Sequence, residues 1–308
     1  MEKGLGDEAK PQKIFFLKTI EDTKRSDVKV HKAIYIIGDI HGCYTTLVEI
    51  LQEAELVNQE LSWIGEEAVL CFMGDYVDRG PQGIDCIDLI MKLQDEAEDA
   101  GGAVIALVGN HEVLLMASNL FGVTPSPDDE DSEIVDLGNT FVRSWIRNGG
   151  VWSDLEQLTE RHVEWLKNLP AVVLIDDHLL IHADAMLYST YGDSIEEINE
   201  SFYEMFNGSS QRIWMRLLNE FSERYAFYSE TPEGKERVVE LLERLGGRDL
   251  FHGHTPIAHV LEQTPETIVE PLIYADDLCI NLDGGICHGG PGFIYQLSST
   301  SSEITIRY

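Results

Sequence analysis

The sequence predicts an α/β fold in which a parallel sheet carries polar side chains at the ends of its strands. Two observations indicate this fold. Between residues 33 and 119, short apolar runs alternate with segments of helical periodicity, which is typical of a parallel sheet. Beyond Asp249, short β runs alternate with glycine and proline turns, which predicts a second, mixed sheet packed on the first.

Three pairs of a strand and a following helix make up the first region. The helix from Thr45 to Ala54 places Leu47, Ile50 and Leu51 on one face. Pro81 is expected to open the second helix, because proline suits a first helical position. Ligands at the carboxyl ends of such strands fall in one crevice. The predicted order is strand Ala33–Ile37, helix Thr45–Ala54, strand Ala68–Met73, helix from Pro81, strand Ala103–Val108 and helix from Val113.

The remaining chain is predicted as one domain over residues 31–308, after an N-terminal extension at residues 1–30. Residues 122–137 contain two prolines and many acidic residues, so they are predicted as an acidic surface loop, with a solvated insertion favoured over a lid. The later elements are predicted as helical structure over Asn139–Leu169, a hairpin of Ala171–Ile175 and Leu179–His182, and a helix over Gly234–Leu245.

Composition limits the class of protein. The hydrophobic fraction of 44% is enough for a sizeable core in 308 residues, and no run of 18 apolar residues predicts a membrane span. The N-terminal segment has no apolar signal core. Five scattered cysteines form no CxxC pair, and their odd number argues against a full disulfide framework. The sequence therefore predicts a cytoplasmic protein with reduced thiols, no membrane partner and no obligate protein partner.

The net charge of −33 makes nucleic acid an unexpected partner, because its phosphates would be repelled. A solubility or halotolerance adaptation is the favoured explanation of this charge. The functional alternative is that the acidic surface steers basic phosphopeptide substrates towards the protein.

Five short polar motifs carry the chemistry. Each of the first three follows a short apolar run and begins where that run ends. They supply carboxylate, imidazole and amide groups suited to two divalent cations, and an arginine suited to a phosphate. Oxygen and nitrogen ligands without thiolate favour Mn²⁺, Fe or Zn²⁺ over a structural zinc. The motifs are residues 38–42 (GDIHG), 74–80 (GDYVDRG), 109–112 (GNHE), 181–184 (IHAD) and 253–256 (GHTP).

With these motifs the chain resembles the phosphoprotein phosphatase branch of the calcineurin-like metallophosphoesterases, and is similar to compact bacterial and phage enzymes of the lambda phosphatase type. The resemblance runs from about Ala33 to about Gly290 and includes residues 148–150 (NGG) and 213–216 (IWMR). Val108 departs from it, because the family usually has arginine there. The resemblance implies a four-layer α/β/β/α sandwich of two mixed sheets, with the metal site at the strand ends.

The resemblance also implies the ligands of two metal ions, expected to be Mn²⁺ with Fe or Zn²⁺ possible. One ion would be held by Asp39, His41 and Asp75. The other would be held by Asp75, which bridges the two, and by Asn110, His182 and His254. Two such ions hold a hydroxide for in-line attack on a phosphoryl group.

The remaining site residues are also implied by the resemblance. Arg79 and Arg216 would bind the substrate phosphate, and Asn110 would contribute to substrate binding. His111 would be the general acid that protonates the leaving alkoxide, and Asp78 would hold its imidazole. No Cys-x5-Arg loop is present in the sequence, which argues against the cysteine phosphatase route.

The leading functional interpretation is a metal-dependent serine/threonine protein phosphatase. The alternative from the same superfamily is a symmetrical dinucleoside polyphosphate hydrolase acting on diadenosine tetraphosphate, and phosphotyrosine or small monoesters stay open as substrates. Asp78, Arg79, Glu112 and Arg216 favour the monoesterase. A non-catalytic binding scaffold would predict losses at ligand or acid positions, and the sequence has none.

Overall fold

The computed structural model describes residues 15–17, 33–122, 133–228, 232–298 and 304–308. Two mixed sheets and ten α-helices make up this part of the chain. The strands are β1 Phe15–Leu17, β2 Ala33–Ile37, β3 Val69–Phe72, β4 Ala103–Ala106, β5 Val172–Ile175, β6 His178–Ile181, β7 Asp249–His252, β8 Leu272–Tyr274, β9 Cys279–Asn281, β10 Phe293–Ser298 and β11 Ile306–Arg307. The helices are α1 Tyr44–Glu53, α2 Gly83–Ala100, α3 Asn110–Phe121, α4 Glu133–Arg147, α5 Trp152–Gln157, α6 Glu160–Lys167, α7 Ile195–Asn207, α8 Gln211–Phe221, α9 Pro232–Leu245 and α10 Ile257–Val260.

The first sheet has the order β1-β10-β2-β3-β4, and its neighbouring strands β2, β3 and β4 are parallel. The second sheet has the order β11-β5-β6-β7-β9-β8, in which β6, β7 and β9 are parallel. Both sheets therefore direct the carboxyl ends of parallel strands to an edge where loops can meet. The predicted pair of mixed sheets is confirmed.

Successive side chains of the strands point alternately to two separate hydrophobic cores, which explains how the sheets and helices form layers. In β2 and β3, Ile34, Ile36, Val69 and Cys71 belong to a core shared with the second sheet. Their neighbours along the strands, such as Leu70, belong to a second core with the helices. Because successive side chains of a strand point to opposite faces, each sheet has one face on its partner and one on helices. This is the predicted four-layer sandwich.

Most predicted elements are present, with corrections at their bounds. Pro81 does not open the second helix, which begins at Gly83. The helical region from Asn139 to Leu169 is interrupted and forms the end of α4 followed by α5 and α6. The hairpin of β5 and β6 is antiparallel, as predicted.

Two predicted segments lie partly outside the described residues. Residues 123–132 of the predicted acidic loop lie outside them, whereas residues 133–137 begin α4 rather than continuing the loop. Of the predicted N-terminal extension, Phe15–Leu17 are described and pair in parallel with β10 at the edge of the first sheet. Within the described residues, no helix is both long and apolar enough to cross a membrane. All five cysteines are free.

Candidate dinuclear metal centre

The predicted ligands come together at the carboxyl ends of the parallel strands. Asp39 and His41 follow β2, Asp75 follows β3, and Asn110 begins α3 just after β4. His182 directly follows β6 and His254 follows β7 in the second sheet. All six side chains are buried, with exposed fractions of 9% or less. Residues from both sheets therefore build one enclosed polar cluster.

Asp75 lies between the two halves of this cluster. Its Oδ2 atom is 3.5 Å from Nε2 of His41, and its Oδ1 atom is 3.4 Å from Nε2 of His182. Each oxygen of one carboxylate thus faces a different imidazole. This is the arrangement in which one carboxylate can bridge two cations.

The second half of the cluster contains Asn110, His182 and His254. The Oδ1 atom of Asn110 is 3.2 Å from Nε2 of His182 and 2.8 Å from Nδ1 of His254. Together with Asp75, the two histidines have ligand atoms within 4.8 Å of one another. An ion at this position would be bound by oxygen and nitrogen atoms only, which suits Mn²⁺, Fe or Zn²⁺.

The first half contains His41 and Asp75 with either Asp39 or His111 as a third group. His111 is close enough to be grouped with them, but its Nδ1 is engaged by Asp78 and its Nε2 faces Arg79. Asp39 has Oδ2 3.9 Å from Nε2 of His41. Asp39 therefore fits a ligand role better than His111 does.

Two buried atoms without partners indicate that the cluster is shaped for cations. Nε2 of His41 and Nε2 of His254 are buried and have no hydrogen-bond partner among the residues that the structure describes. A buried polar atom without a partner is unfavourable by about 1–3 kcal/mol. In His41 and His182, the Nδ1 atoms donate to the carbonyl oxygens of Val77 (3.0 Å) and Met73 (2.8 Å). These bonds fix the tautomer that presents the Nε2 lone pair, as is usual for metal-binding histidines.

The pKa directions agree with a site built to bind cations. Burial raises the pKa of Asp39 well above its usual value, and the nearby Asp283 raises it further. Burial lowers the pKa of His41, followed by the effect of His111, so that ring stays neutral. Burial alone would lower the pKa of His182, but Asp75 raises it to about 10. A bound divalent ion would take the place of the proton on His182 and relieve the repulsion between Asp39 and Asp283.

The backbone of the cluster is strained where its functional side chains lie. Non-glycine residues with positive φ cost of order 1–3 kcal/mol each and persist where the surroundings impose them. Glu112 contributes to these surroundings. Its carboxylate accepts hydrogen bonds from the backbone N–H groups of Asp75 (2.8 Å), Tyr76 (2.7 Å) and Gly109 (2.9 Å). The site residues with positive φ are His41 (49°), Asp75 (56°), Asp78 (68°), Arg79 (63°) and His254 (66°).

Glycine is required at two positions where a carboxylate packs against the backbone. A Cβ atom at Gly109 would lie 2.2 Å from Oδ1 of Asp75, and one at Gly253 would lie 2.2 Å from Oδ1 of Asp39. Any side chain at either position would therefore displace a predicted ligand.

A second group of side chains, Asp78, Arg79 and His111, lies beside the predicted metal ligands. Oδ2 of Asp78 is 2.7 Å from Nδ1 of His111, and Nη2 of Arg79 is 3.2 Å from Nε2 of the same ring. Since Nδ1 is held by a carboxylate, Nε2 is the atom that can exchange a proton with a substrate. The rings of His41 and His111 are 4.6 Å apart, which puts this proton next to the metal cluster.

Residues outside the motifs hold this group in place, and sequence reasoning missed them. The indole N–H of buried Trp145 donates to Oδ1 of Asp78 at 2.6 Å. Asp154 accepts the backbone N–H of Asp78 at 2.9 Å and that of Gly83 at 3.2 Å. Burial raises the pKa of Asp154 to about 6, with Asp78 adding to the shift against the backbone hydrogen bonds. Only the neighbouring residues 148–150 gave a sequence signal for this region.

Of the two predicted phosphate arginines, the structure brings one to the site. Arg216 lies on the surface of α8, where its Nε pairs with Glu220 at 2.8 Å and its side chain is 65% exposed. Within the described residues, the arginine that accompanies Arg79 is instead Arg224. Its guanidinium donates to the carbonyl oxygen of His254 and to Oγ1 of Thr255. In the same motif, Trp214 is buried by α8.

Asp283 is a further buried carboxylate that the sequence analysis did not select. It follows β9 and its Oδ1 accepts the backbone N–H of Gly285 at 2.9 Å. The sequence does contain a signal for Asp283. A short apolar run is followed by residues 283–285 (DGG), which repeats the pattern of the first three motifs.

Comparisons with known proteins agree with this geometry. The family model described as calcineurin-like phosphoesterase matches residues 32–258, which is most of the chain. The chain belongs to this family. It is therefore a metallophosphoesterase, an enzyme with the two-sheet fold of that family.

Individual relatives cover parts of the protein. The chain is 36% identical over 102 residues to Shewanella-like protein phosphatase 1 of Plasmodium berghei, covering 33% of this chain and 28% of the relative. It is 26% identical over 152 residues to a symmetrical bis(5'-nucleosyl)-tetraphosphatase of Janthinobacterium, covering 49% and 43%. The structure of a cold-active protein-tyrosine phosphatase of a psychrophilic Shewanella species matches with a TM-score of 0.65 at 20% identity, over 87% of this chain and 76% of that one. The chain thus spans less than half the length of these two relatives, and the structural match supports the fold.

Proposed function

We propose that this metallophosphoesterase is a phosphomonoester hydrolase that acts on phosphoserine and phosphothreonine in proteins. The observation that carries the proposal is the group of Asp78, His111 and Arg79 beside the ligand cluster. It places Nη2 of Arg79, a group suited to binding phosphate, 3.2 Å from Nε2 of His111, the ring atom that can exchange a proton with a substrate. A phosphate monoester needs both, because its dianion must be bound and its alkoxide leaving group must be protonated.

Each side chain has a defined part in the reaction. When bound, two divalent ions, expected to be Mn²⁺, would activate the attacking water and polarise the phosphoryl oxygens. Arg79 and Arg224 would donate hydrogen bonds to the remaining phosphoryl oxygens, and the planar fork of arginine suits two such oxygens. With Arg79 bound to the phosphate, Nε2 of His111 would be free to carry a proton and would give it to the leaving oxygen while Asp78 holds Nδ1. Asn110 would contribute to both metal and substrate binding.

The second candidate is a symmetrical dinucleoside tetraphosphate hydrolase. The partial match to a relative with that name favours it. Two arguments favour the monoesterase. A monoester dianion offers three unsubstituted oxygens for two metals and two arginines, whereas an internal phosphate of a dinucleotide offers two. The added negative charge of a dinucleotide would also meet a protein with a net charge of −33.

The test is a substrate panel after chelator treatment and addition of Mn²⁺. It compares phosphoserine, phosphothreonine and phosphotyrosine peptides, with basic and neutral sequences, against diadenosine tetraphosphate. The proposal expects higher kcat/KM on phosphoserine and phosphothreonine peptides than on the dinucleotide. A higher kcat/KM for diadenosine tetraphosphate would favour the second candidate and end the proposal.

A further inference from the structure

Two imidazoles border the outer side of Arg79. Its Nη2 atom faces His111 inside the site, whereas its Nη1 atom lies 3.5 Å from Nε2 of His288. His259 continues this line, since its ring centroid is 5.9 Å from that of His288 and the two planes are tilted by 41°. Both His288 and His259 are exposed. Polar nitrogen atoms therefore extend from the centre of the site to the solvent.

Two arginines act on the imidazole of His288 at this rim. The pKa of His288 is lowered by burial and then by Arg79, His259 and Arg224, all of which are cationic or become so on protonation. Glu266 is the carboxylate beside this rim, with Oε1 3.3 Å from the position of a Cβ at Gly289. An anion entering along Arg79 would thus meet two arginines and two imidazoles beside Glu266, with the buried Asp283 close enough to interact with Arg79 and Cys287.

We propose that His288 and His259 form a subsite for a second anionic group of the substrate, next to the phosphoryl group held by Arg79. The inference rests on the proposed phosphomonoesterase function, because the subsite is defined by its position beside that phosphoryl group. Its ligand has anionic oxygens, either the carboxylate of an aspartate or glutamate beside the phosphorylated residue or a second phosphate at that position.

The hydrogen-bonding pattern supports this ligand. An arginine can only donate, so Nε2 of His288 accepts from Arg79 when the ring is neutral and Nδ1 then carries the proton. The neutral ring can already donate one hydrogen bond to an anion. A bound anion also favours protonation of the imidazole, which adds a charge-assisted bond.

With this subsite, the protein would select for opposite charges at short and at long range: an acidic residue beside the phosphate and basic residues further away. The acidic surface attracts basic peptides over distances of about one Debye length, ~10 Å at 0.1 M salt. The two imidazoles act only on the residues in contact with them. The structure therefore predicts a substrate whose more distant residues are basic and whose residue beside the phosphate is acidic.

The test uses phosphoserine peptides that differ at one flanking position, which is alanine, glutamate, phosphoserine or lysine on each side in turn. For the wild type, we expect kcat/KM to be about threefold to fivefold higher with glutamate than with alanine on one side, which is the range of an exposed charge pair. In His288→Ala this ratio should fall to near one. Lys235→Ala is the matched control, because it removes a cation from α9 that is paired with Asp276, and it should keep the wild-type ratio.

Some outcomes distinguish a carboxylate from a second phosphate as the ligand, and others would contradict the proposal. A gain with phosphoserine but not with glutamate supports the subsite and assigns it to a second phosphate. Glu266→Gln should increase the ratio, which tests the subsite even if His288→Ala does not fold. Equal kcat/KM for acidic and neutral flanks in the wild type, or an unchanged ratio in the double variant His288→Ala/His259→Ala, would overturn it. Failure of the proposed function is distinct, since no phosphopeptide would then be hydrolysed while diadenosine tetraphosphate is.

Discussion

Two groups of residues in the functional site differ in how they are arranged along the chain. The motif group consists of Asp75, Asp78, Arg79 and His111, which come from two short motifs that each follow a strand of the first sheet. The dispersed group supports or completes the site from separate positions. It includes Trp145 at the end of α4, Asp154 in α5, Arg224 after α8 and Asp283 after β9.

This difference separates two kinds of contribution. The strand-end motifs contain groups that can contact a metal or a phosphate directly. Trp145 and Asp154 act on Asp78 through hydrogen bonds, and the charge of Asp283 acts on Asp39. If this distinction is correct, substitutions in the motif group should lower activity strongly. Substitutions of the supporting residues should cause smaller and more specific losses of activity.

The largest effect is expected for Asp75→Asn. Loss of a residue that only orients a metal ligand typically costs about 10–100-fold in affinity or activity, so loss of the bridging carboxylate should cost more than about 10³-fold. We also expect activity to vanish with a chelator and to return with Mn²⁺. Measured metal content should fall in the variant. Full activity in wild-type protein shown by elemental analysis to be metal-free would contradict the metal centre.

The next effect concerns His111→Asn and should depend on the leaving group. A serine alkoxide leaves as a strong base and needs a proton, whereas nitrophenolate needs little help. General acid catalysis contributes about 10²–10⁴-fold, so the loss on a phosphoserine peptide should be about 10²-fold or more and clearly smaller on nitrophenyl phosphate. Equal losses in kcat on both substrates would exclude His111 as the general acid.

Arg224→Ala tests whether a dispersed residue binds the phosphate. Removing one donor to a charged phosphoryl group costs about 10²-fold, and we expect this loss in kcat/KM for monoesters. Arg216→Ala is the matched control, because the exposed Arg216 pairs with Glu220 on its own helix, and it should change kcat/KM by less than about twofold. A larger loss for Arg216→Ala than for Arg224→Ala would restore the assignment made from the sequence.

The smallest effect is expected for Asp154→Asn. The amide retains one acceptor for the backbone of Asp78 or Gly83, so we expect a loss in kcat of about tenfold, comparable to that of an orienting residue. The loss should be similar on nitrophenyl phosphate and phosphopeptide, in contrast to His111→Asn. A loss confined to the phosphopeptide would show that Asp154 acts on leaving-group protonation instead.

The same variant has a pH signature in stability. Burial raises the folded-state pKa of Asp154 from 3.8 to about 6, so the folded protein retains this proton at pH values where the unfolded chain has lost it. This contribution to stability is present at low pH and is lost as pH rises through about 6. The difference in Tm, Asp154→Asn minus wild type, should therefore be more positive at pH 7 than at pH 4. A difference that does not change with pH would contradict the raised pKa.

The sequence by itself determined the fold class and which polar residues lie at the strand ends. Apolar runs followed at once by polar motifs specify both a strand and what lies at its end, because the chain leaves the sheet there. The predicted ligands Asp39, His41, Asp75, Asn110, His182 and His254 consequently occur together in the structure. The bounds of helices were less accurate, as at Pro81, because a helix start depends on the hydrogen bonds that the first turn can make.

Only the tertiary structure decided which separate residues complete the site. Arg216 and Arg224 are eight positions apart, and the sequence favoured the first because it stands in a recognisable motif. Packing decided otherwise, since α8 buries Trp214 and turns Arg216 to the solvent, while the chain after the helix brings Arg224 to the backbone of His254. Trp145, Asp154 and His288 reach Asp78 or Arg79 in the same way, across 67 to 209 positions of sequence. Contacts of that separation depend on how the layers pack, and no local pattern encodes them.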